Sequence, residues 1–349
     1  MIVKPQGFCY AFNMRKTKII CTIGPATNSE AMLKKLVTAG MDICRLNLSH
    51  GTLAEHEEVI RKIRKIDPKI RVLADLQGPR IRTGKLKNQN VKLKLKEFID
   101  VYSREIIGDE TKISISPATV FADIKVGDIL LLADGTIQLK VLTKDEQKLH
   151  CEIEDGGTLG EHKGVNIPKT KLSLPSLTEK DRQDAAWACS QGVDYIALSF
   201  VREAKDLLTL RELLKCKIPI IAKIEKPEAV ENIKEIIKAA DAIMIARGDL
   251  GIEMRLEKVP ETQKMIVKLC HEYKKPVIVA TQMLPSMVTN ELPSRAEVSD
   301  VANAIFDGTD AVMLSEETSI GEYPVETVET MARIDLEAED EVDYEPKAF

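Results

Sequence analysis

Short runs of consecutive apolar residues recur along the chain, and segments with helical periodicity lie between them. Four runs follow a junction made of a helix end, a small residue and an aspartate: "TAGMDICRLNLS", "SQGVDYIALSF", "KAADAIMIARGD" and "FDGTDAVMLSEE". Four further runs have the same composition without the aspartate: "TKIICTIG", "IRVLADLQG", "IPIIAKIE" and "KPVIVATQM". Apolar runs without clean alternation are typical of parallel strands that are covered on both faces.

Amphipathic helical patterns such as "SEAMLKKLVTAG" and "PEAVENIKEIIKAA" separate these runs. Eight strand–helix units predict an α/β protein with a closed (β/α)8 barrel of the TIM type. An open doubly wound sheet is the alternative, and the count of eight favours closure.

A segment of different texture interrupts the series after the third strand. From about Lys85 to Leu172, stretches such as "VKLKLK" and "TKISISP" alternate with period two, and Asp134-Gly135 gives a hairpin signal. We predict an inserted all-β lid domain at the active-site end of the barrel, with a decorative insertion as the alternative. The predicted domains are barrel 1–84, lid 85–172, barrel 173–338 and an acidic tail 339–349 that frays after the last helix.

Polar residues follow most of the predicted strands at their C-terminal ends, which converge on one mouth of a barrel. In strand order they are Arg45, Asn47, Ser49 and His50; Asp75, Arg80 and Arg82; Lys223 and Glu225; Arg247 and Asp249; Thr281 and Gln282; and Ser315 and Glu316. Lys223 and Glu225 share one face of a strand that is otherwise apolar, where burying each ion costs several kcal/mol unless it is compensated. An incidental surface pair is the alternative for these two residues.

These strand ends carry the groups needed to bind phosphate. Glu225 and Asp249 lie on adjacent strands, so their oxygens could share Mg²⁺ or Mn²⁺. Arg45, Arg82 and Lys223 supply cations for a multiply charged phosphate. The set predicts phosphoryl transfer, whereas salt bridges that merely close the barrel mouth are the alternative for any single residue. The sequence has no Walker A or G-x-G-x-x-G motif, which argues against a conventional nucleotide fold.

Composition narrows the function classes further. The chain has 349 residues, 44% of them hydrophobic and 30% charged, with a net charge of -5, which gives no case for binding nucleic acid or membrane. No signal peptide or membrane-spanning run is recognisable, so a cytoplasmic location is expected. The seven cysteines are odd in number and widely spread, and they are interpreted as buried apolar residues in a reducing compartment.

Nine stretches resemble the pyruvate kinase family, in family order, over roughly Arg15 to Ile334. They are "KTKIICTIGPAT", "AGMDICRLNLSHG", "DLQGPRIRTG", "HKGVNIP", "LTEKD", "IAKIEKPEAVENI", "IMIARGDLGIE", "ATQMLPSM" and "SRAEVSDVANAIFDGTDAVMLS". The resemblance implies a (β/α)8 barrel with a β-barrel lid inserted after the third strand. It also implies phosphoryl transfer from phosphoenolpyruvate to ADP, giving pyruvate and ATP, as the final step of glycolysis.

The same resemblance assigns a role to each matching position. Lys223 stabilises the phosphoryl group in flight, Arg45 binds the transferred phosphate, and Thr281 lies near the methylene carbon that must be protonated. The backbone of Gly248 and Asp249 suits the substrate carboxylate, and Glu225 and Asp249 hold the divalent metal. The nucleotide-side positions are Asn47, His50, Arg82 and, from the lid, Lys163.

Potassium is the further cofactor that the resemblance raises. Family members that depend on it place the cation near the positions of Asn47, Ser49, Asp75 and Leu76, and carry a glutamate where this chain has Arg80. A tethered guanidinium can replace a bound cation, so K⁺ is expected to be unnecessary.

The chain departs from the family in two ways. Most members continue into a C-terminal α/β domain, so this sequence resembles a short form without the usual sugar-phosphate effector site. A homo-oligomer through the barrel is expected, with dimer or tetramer left open. Glu316 stands where a small residue is usual. A metal-dependent lyase acting on a pyruvate enolate and a non-catalytic paralogue are the competing functions.

Overall fold

The computed structural model describes residues 15–168, 170–342 and 344–347. The strands, in chain order, are β1 Lys18–Ile23, β2 Ile43–Asn47, β3 Arg71–Asp75, β4 Arg82–Thr83, β5 Asn90–Leu93, β6 Phe98–Tyr102, β7 Lys112–Ser116, β8 Ile129–Leu132, β9 Ile137–Lys144, β10 Lys148–Asp155, β11 Gly157–Gly160, β12 Val165–Asn166, β13 Tyr195–Leu198, β14 Ile220–Ile224, β15 Ala242–Ala246, β16 Val277–Ala280 and β17 Ala311–Leu314. The α-helices are α1 Glu30–Ala39, α2 Leu53–Ile66, α3 Glu179–Gln191, α4 Ala204–Leu213, α5 Pro227–Glu231, α6 Ile233–Ala239, α7 Arg247–Glu253, α8 Val259–Glu272, α9 Arg295–Phe306, α10 Glu316–Ser319 and α11 Pro324–Glu339.

Eight parallel strands close into a barrel in the order β1-β17-β16-β15-β14-β13-β3-β2. They are the eight apolar runs of the sequence, so the predicted (β/α)8 barrel is confirmed and the open sheet was the wrong alternative. Inward-facing residues such as Leu73, Ile221 and Met244 fill the interior, which makes it a packed core. Among the described residues, no helix is long and apolar enough to cross a membrane.

The glycine and the aspartate of the repeated junction have separate tasks. Gly40, Gly192 and Gly308 have φ of 120°, 63° and 90°, which is the left-handed region that ends a helix at low cost. The aspartate that follows then bonds the preceding barrel strand at the N-terminal end of the barrel. These pairs are Asp42 with Ile19, Asp194 with Val72, Asp241 with Ile220 and Asp310 with Val277.

Each of these four pairs is reciprocal. The carboxylate accepts the backbone N–H of its partner at 2.7 to 2.8 Å. The N–H of the aspartate donates to the carbonyl of the same partner at 2.9 to 3.0 Å. We call this arrangement an aspartate clasp. The four clasps join β1 to β2, β3 to β13, β14 to β15 and β16 to β17, which is every strand of the barrel once.

The described chain divides into two units. The first, the barrel unit, comprises the described residues up to Gln77, Glu179–Gly248 and the described residues from Pro260. The second, the β unit, comprises Gly78–Thr178 and Asp249–Val259. The predicted boundaries at 85 and 172 lie inside this range and stay predictions.

The β unit is built almost entirely of strands. Its larger sheet has the order β12-β8-β9-β10-β6-β7-β4, and β11 pairs with β5. The predicted hairpin is present, because Leu132 pairs with Ile137 around a turn in which Asp134 and Gly135 have φ of 56° and 81°. The inward positions of the alternating stretches form a separate apolar core that includes Ile99, Val101 and Ile113.

The end of the chain corrects one expectation. Tyr344 does not fray: its ring stacks on His271 with centroids 4.2 Å apart, and its hydroxyl donates to Asp310 at 2.8 Å. An aromatic ring in an otherwise acidic segment supplies this docking. Asp343, Ala348 and Phe349 of the predicted tail lie outside the described residues.

The interpretation of the cysteines was partly wrong. Cys21, Cys44, Cys151 and Cys270 are buried thiols, as expected. Cys189 and Cys216 instead form a disulfide with a Cα–Cα distance of 6.0 Å. Cys189 lies in the last turn of α3 and Cys216 between α4 and β14, and both are partly exposed. Their sequence separation of 27 carries no recognisable spacing signal. Cys9 lies outside the described residues.

Candidate active site

Lys223 is the centre of a buried charge cluster at the C-terminal ends of the barrel strands. It is the fourth residue of β14 and only 5% exposed, which excludes the surface-pair alternative. Its Nζ donates to Ser199 Oγ at 2.7 Å. It also lies 3.0 Å from Glu225 Oε1 and 3.2 Å from Asp75 Oδ1. Two carboxylates therefore compensate the desolvation of one ammonium.

Asp75 ties two cations from different strands together. It is 1% exposed, and Arg45 on β2 reaches its Oδ2 with Nε at 2.8 Å and a second guanidinium nitrogen at 2.7 Å. Burial alone would raise the pKa of Asp75, but the charges of Lys223 and Arg45 outweigh it and hold that pKa below its usual value. Asp75 thus stays ionised and fixes the spacing between both cations.

Glu225 is oriented by the backbone of the neighbouring strand. It is fully buried, and its Oε2 accepts the N–H of Phe200 at 2.6 Å. Phe200 has φ of 55°, an uncommon value for a bulky residue, and it follows Ser199, the first residue after β13. The carboxylate therefore has a defined direction before any ligand binds.

Thr281 occupies a backbone conformation that β-branched residues avoid. Its φ is 67° and that of Gln282 is 55°, a cost of roughly 1–3 kcal/mol per residue that persists only where the surroundings enforce it. Its Oγ1 accepts the N–H of Gly248 at 2.7 Å and donates to the carbonyl of Ala280 at 2.6 Å. The Gly248 N–H predicted to bind substrate is thus directed at Thr281 in this conformation.

Arg247, the first residue of α7, holds the same turn in place. It is buried, and one guanidinium nitrogen donates to the carbonyls of Thr281 and Gln282 at 3.0 and 3.1 Å. Its other terminal nitrogen donates to Asp300 of α9 at 2.8 Å. Arg247 was predicted to lie at the barrel mouth, without an assigned role.

Two hydroxyls of the cluster were missed from the sequence. Ser199 bonds Lys223, as described above, and donates to the carbonyl of Leu76 at 2.7 Å. Thr22 accepts from Arg45 at 2.8 Å and donates to the carbonyl of Leu314 at 2.8 Å. Both residues stand at the end of an apolar run: Thr22 on the first barrel strand, and Ser199 directly after the fourth. That position was the available signal.

The predicted nucleotide-side residues fall in both units. Asn47 and His50 lie in the barrel unit, where the Asn47 side chain accepts the N–H of Ser49 at 3.2 Å. Arg82 and Lys163 lie in the β unit and are brought together there: Arg82 donates to the carbonyl of His162 at 3.1 Å, and the Lys163 N–H bonds Thr83 at 2.9 Å. Burial, and then the charge of nearby Arg80, lower the pKa of Arg82.

The divalent metal was predicted to bind Glu225 and Asp249. Glu225 belongs to the barrel unit, whereas Asp249, in the first turn of α7, belongs to the β unit. Within the described residues there is no group of three or more His, Cys, Asp or Glu side chains that could hold a metal. Mg²⁺ commonly uses one or two carboxylates together with substrate phosphates and waters. The assignment of the metal to Glu225 and Asp249 stays a prediction.

Comparison with known proteins identifies the family. The model of the pyruvate kinase barrel domain matches residues 14–328. The chain is 47% identical to the pyruvate kinase of Clostridium perfringens over 95% of this chain and 72% of that protein. It is 48% identical to that of Sporosarcina psychrophila, again over 95% of the chain but only 58% of the relative's length.

Solved structures agree with this result. A pyruvate kinase from Cryptosporidium parvum superposes with a TM-score of 0.90 at 37% identity, covering 95% of this chain and 71% of that one. The chain therefore spans between about three fifths and three quarters of the length of the pyruvate kinases it matches. On these grounds, the chain belongs to the pyruvate kinase family.

Proposed function

We propose that this chain transfers the phosphoryl group of phosphoenolpyruvate to ADP, giving pyruvate and ATP. The buried cluster of Arg45, Asp75, Lys223 and Glu225 is the observation that carries the proposal. It has two cations and two carboxylates fixed by each other and by backbone donors. Such an array stabilises charge without reorganising, which is the main task in phosphoryl transfer.

The cations act on the transferred group. Arg45 binds the phosphate of phosphoenolpyruvate through the face of its guanidinium that Asp75 and Thr22 leave available, and Lys223 stabilises the phosphoryl group as it moves. Glu225 and Asp249 hold Mg²⁺ or Mn²⁺, a cofactor class that the family generally requires. The bound metal supplies further positive charge to the phosphate oxygens.

The remaining residues bind and protonate the enolate or bind the nucleotide. Thr281 relays a proton to the methylene carbon of the enolate through water, because a hydroxyl alone is a poor acid near neutral pH. The backbone N–H groups of Gly248 and Asp249 bind the substrate carboxylate. The Gly248 N–H becomes available for this when the Thr281 hydroxyl turns from it to the water. Asn47, His50, Arg82 and Lys163 bind ADP.

A coupled assay of ATP formation from phosphoenolpyruvate, ADP and Mg²⁺ tests the proposal. We expect ATP and pyruvate in equal amounts, and no turnover when ADP is omitted. Pyruvate released without ADP would favour the lyase alternative. Binding of phosphoenolpyruvate without any turnover would favour the non-catalytic one.

We further propose that the reaction does not need potassium, because Arg80 carries a permanent charge in the nucleotide half of the site. The neighbourhood of Arg80 and Arg82 in the β unit supports this, since both cations suit the phosphates of ADP. Initial rates at constant ionic strength, with tetramethylammonium replacing potassium, should be unchanged. Arg80→Glu should create a potassium requirement, and strong activation of the unmodified protein by potassium would contradict the assignment.

The oligomeric state is also a proposal. We expect a homo-oligomer formed through the barrel unit, where the large apolar side chains of Leu292 and Phe306 are 67% and 49% exposed near and on α9. Sedimentation velocity at enzyme-assay concentrations would distinguish a monomer from a dimer or a tetramer. A cytoplasmic location is consistent with glycolysis and stays a prediction.

A further inference from the structure

Glu317 is a buried carboxylate that no step of the proposed reaction uses. It lies in α10, just after β17, and is 2% exposed. Its Oε2 accepts the N–H of Ser315 at 2.7 Å, and its Oε1 accepts the N–H of Leu284 at 3.3 Å. The two oxygens thus join the end of β17 to the segment that follows β16. Burying a carboxylate is costly, so the contacts it makes need an explanation.

Leu284 closes the turn that begins with Thr281. Arg247 holds the carbonyls of Thr281 and Gln282, as described above, and Glu317 holds the N–H of Leu284. The strained turn is therefore fixed at both ends: a guanidinium donates to its carbonyls, and a carboxyl oxygen accepts the N–H of Leu284. Left-handed backbone at a β-branched residue persists only when the surroundings enforce it in this way.

The end of β17 is itself anchored to the catalytic cluster. Thr318 donates to the carbonyl of Thr22 at 2.9 Å, and Thr22 accepts from Arg45 at 2.8 Å. The short helix α10 that carries Glu317 is thus in a fixed position relative to Arg45. A rigid α10 can transmit that position to the Thr281 turn through one carboxylate.

We propose that Glu317 is a positioning residue for Thr281, holding the Thr281–Leu284 turn in the strained conformation in which the Thr281 hydroxyl lies against the Gly248 N–H. The inference deepens the proposed function and rests on it, because Thr281 is given its protonation role there. Glutamine has the same shape as glutamate but presents an amide NH₂ at one of the two positions. That NH₂ would face a backbone N–H, so Glu317→Gln should release one end of the turn.

The experiment compares Glu317→Gln with Glu316→Gln, a matched control that changes the neighbouring, exposed carboxylate on α10. Hydrogen exchange of a peptide spanning 281–288, read by mass spectrometry, reports the turn without requiring activity. We expect exchange about ten-fold faster in Glu317→Gln and unchanged in Glu316→Gln. For turnover, we expect kcat to fall at least ten-fold in Glu317→Gln with the KM for phosphoenolpyruvate within about two-fold.

The outcomes separate this inference from the proposed function. Normal exchange and normal kcat in Glu317→Gln would overturn the inference. Faster unfolding with a normal kcat per folded molecule would also overturn it, because Glu317 would then be purely structural. If the unmodified protein makes no ATP but Glu317→Gln still exchanges faster than it does, the proposed function is wrong, and the contact between Glu317 and the turn is nevertheless established.

Discussion

The two ends of the barrel use the same residue types for different purposes. At the C-terminal end, Asp75 contacts Arg45 and Lys223, so the charges bind each other out of water. At the N-terminal end, the clasp aspartates bind backbone N–H groups, and arginines such as Arg71 and Arg211 pair with them from partly exposed positions. The paired charges at the C-terminal end lie where the substrates of a barrel enzyme bind, so they can contact a substrate. The carboxylates at the N-terminal end stabilise the fold by binding the backbone.

Two buried carboxyls sharpen this contrast. Asp75 is 1% and Asp335 0% exposed, so burial acts on both alike. Asp75 contacts two cations within 3.2 Å, and its pKa is lowered. In the part of the chain that the structure describes, the cation paired with Asp335 on α11 is Arg15, at 3.8 Å. Burial, with Glu339 and Asp42 nearby, raises the pKa of Asp335 well above the usual value. The number and distance of cations decide the direction of the shift.

Removing the charge at the mouth should have the largest effect. Lys223→Met keeps an unbranched apolar stem but removes the ammonium that stabilises the moving phosphoryl group. We expect kcat to fall by about 10³-fold or more while phosphoenolpyruvate still binds. Titration calorimetry and the coupled assay measure both quantities. Turnover close to that of the unmodified protein would show that Lys223 has no part in the chemical step.

Removing a clasp should affect stability rather than turnover. Asp310→Ala leaves the buried N–H of Val277 and the Tyr344 hydroxyl without their carboxylate. We expect it to cost about 1–3 kcal/mol of unfolding free energy, and Tyr344→Phe measures the share that comes from the tyrosine bond. Asp241→Ala is the matched change at a more exposed clasp and should cost less, since water can replace the carboxylate there. Urea unfolding gives the difference. If either variant lost kcat while it remained folded, the separation of function between the two ends would be contradicted.

The smallest effect concerns pH. Because the folded pKa of Asp335 is raised, the native state holds a proton that the unfolded state releases above about pH 4. Stability from this group is therefore present at low pH and is lost as pH rises through the interval between the two values. Asp335→Asn is neutral throughout, so its urea midpoint should decline less between pH 5 and 8. Parallel pH profiles for both proteins would show that Asp335 does not titrate as described.

The barrel was predictable because its signal is local and repeated. Each of the eight runs is long enough and apolar enough to be a buried strand, and the period-two segment between them marks the insertion. The function of the clasp aspartates was not predictable from the runs, although Asp42 and its equivalents were visible as part of the repeat. Their bonds reach across strands, and a sequence pattern carries no information on register.

The site was predictable where charged residues occur in an otherwise apolar run, as at Lys223 and Glu225. It was not predictable where ordinary hydroxyls or backbone do the work: Thr22, Ser199 and the Phe200 N–H carry no unusual sequence signal. Glu317 was overlooked beside Glu316, since one residue's shift along a short helix decides which carboxylate is buried. The Cys189–Cys216 pair was missed because only the fold brings these two cysteines together.

The aspartate clasps also bear on the order in which the barrel can form. Three of them join residues 21, 23 and 33 positions apart, whereas the Asp194–Val72 clasp spans 122 positions because the inserted residues lie within it. Chain-closure entropy grows only with the logarithm of loop length, so the long clasp costs about 1.5 kcal/mol more than a short one. That free-energy difference is small compared with the stability of the folded protein. It affects the folding rate, because non-local contacts form late and their closure entropy adds to the kinetic barrier. Three clasped strand pairs can therefore assemble as local units during synthesis, and β3–β13 is expected to be the last of the four clasped pairs to form.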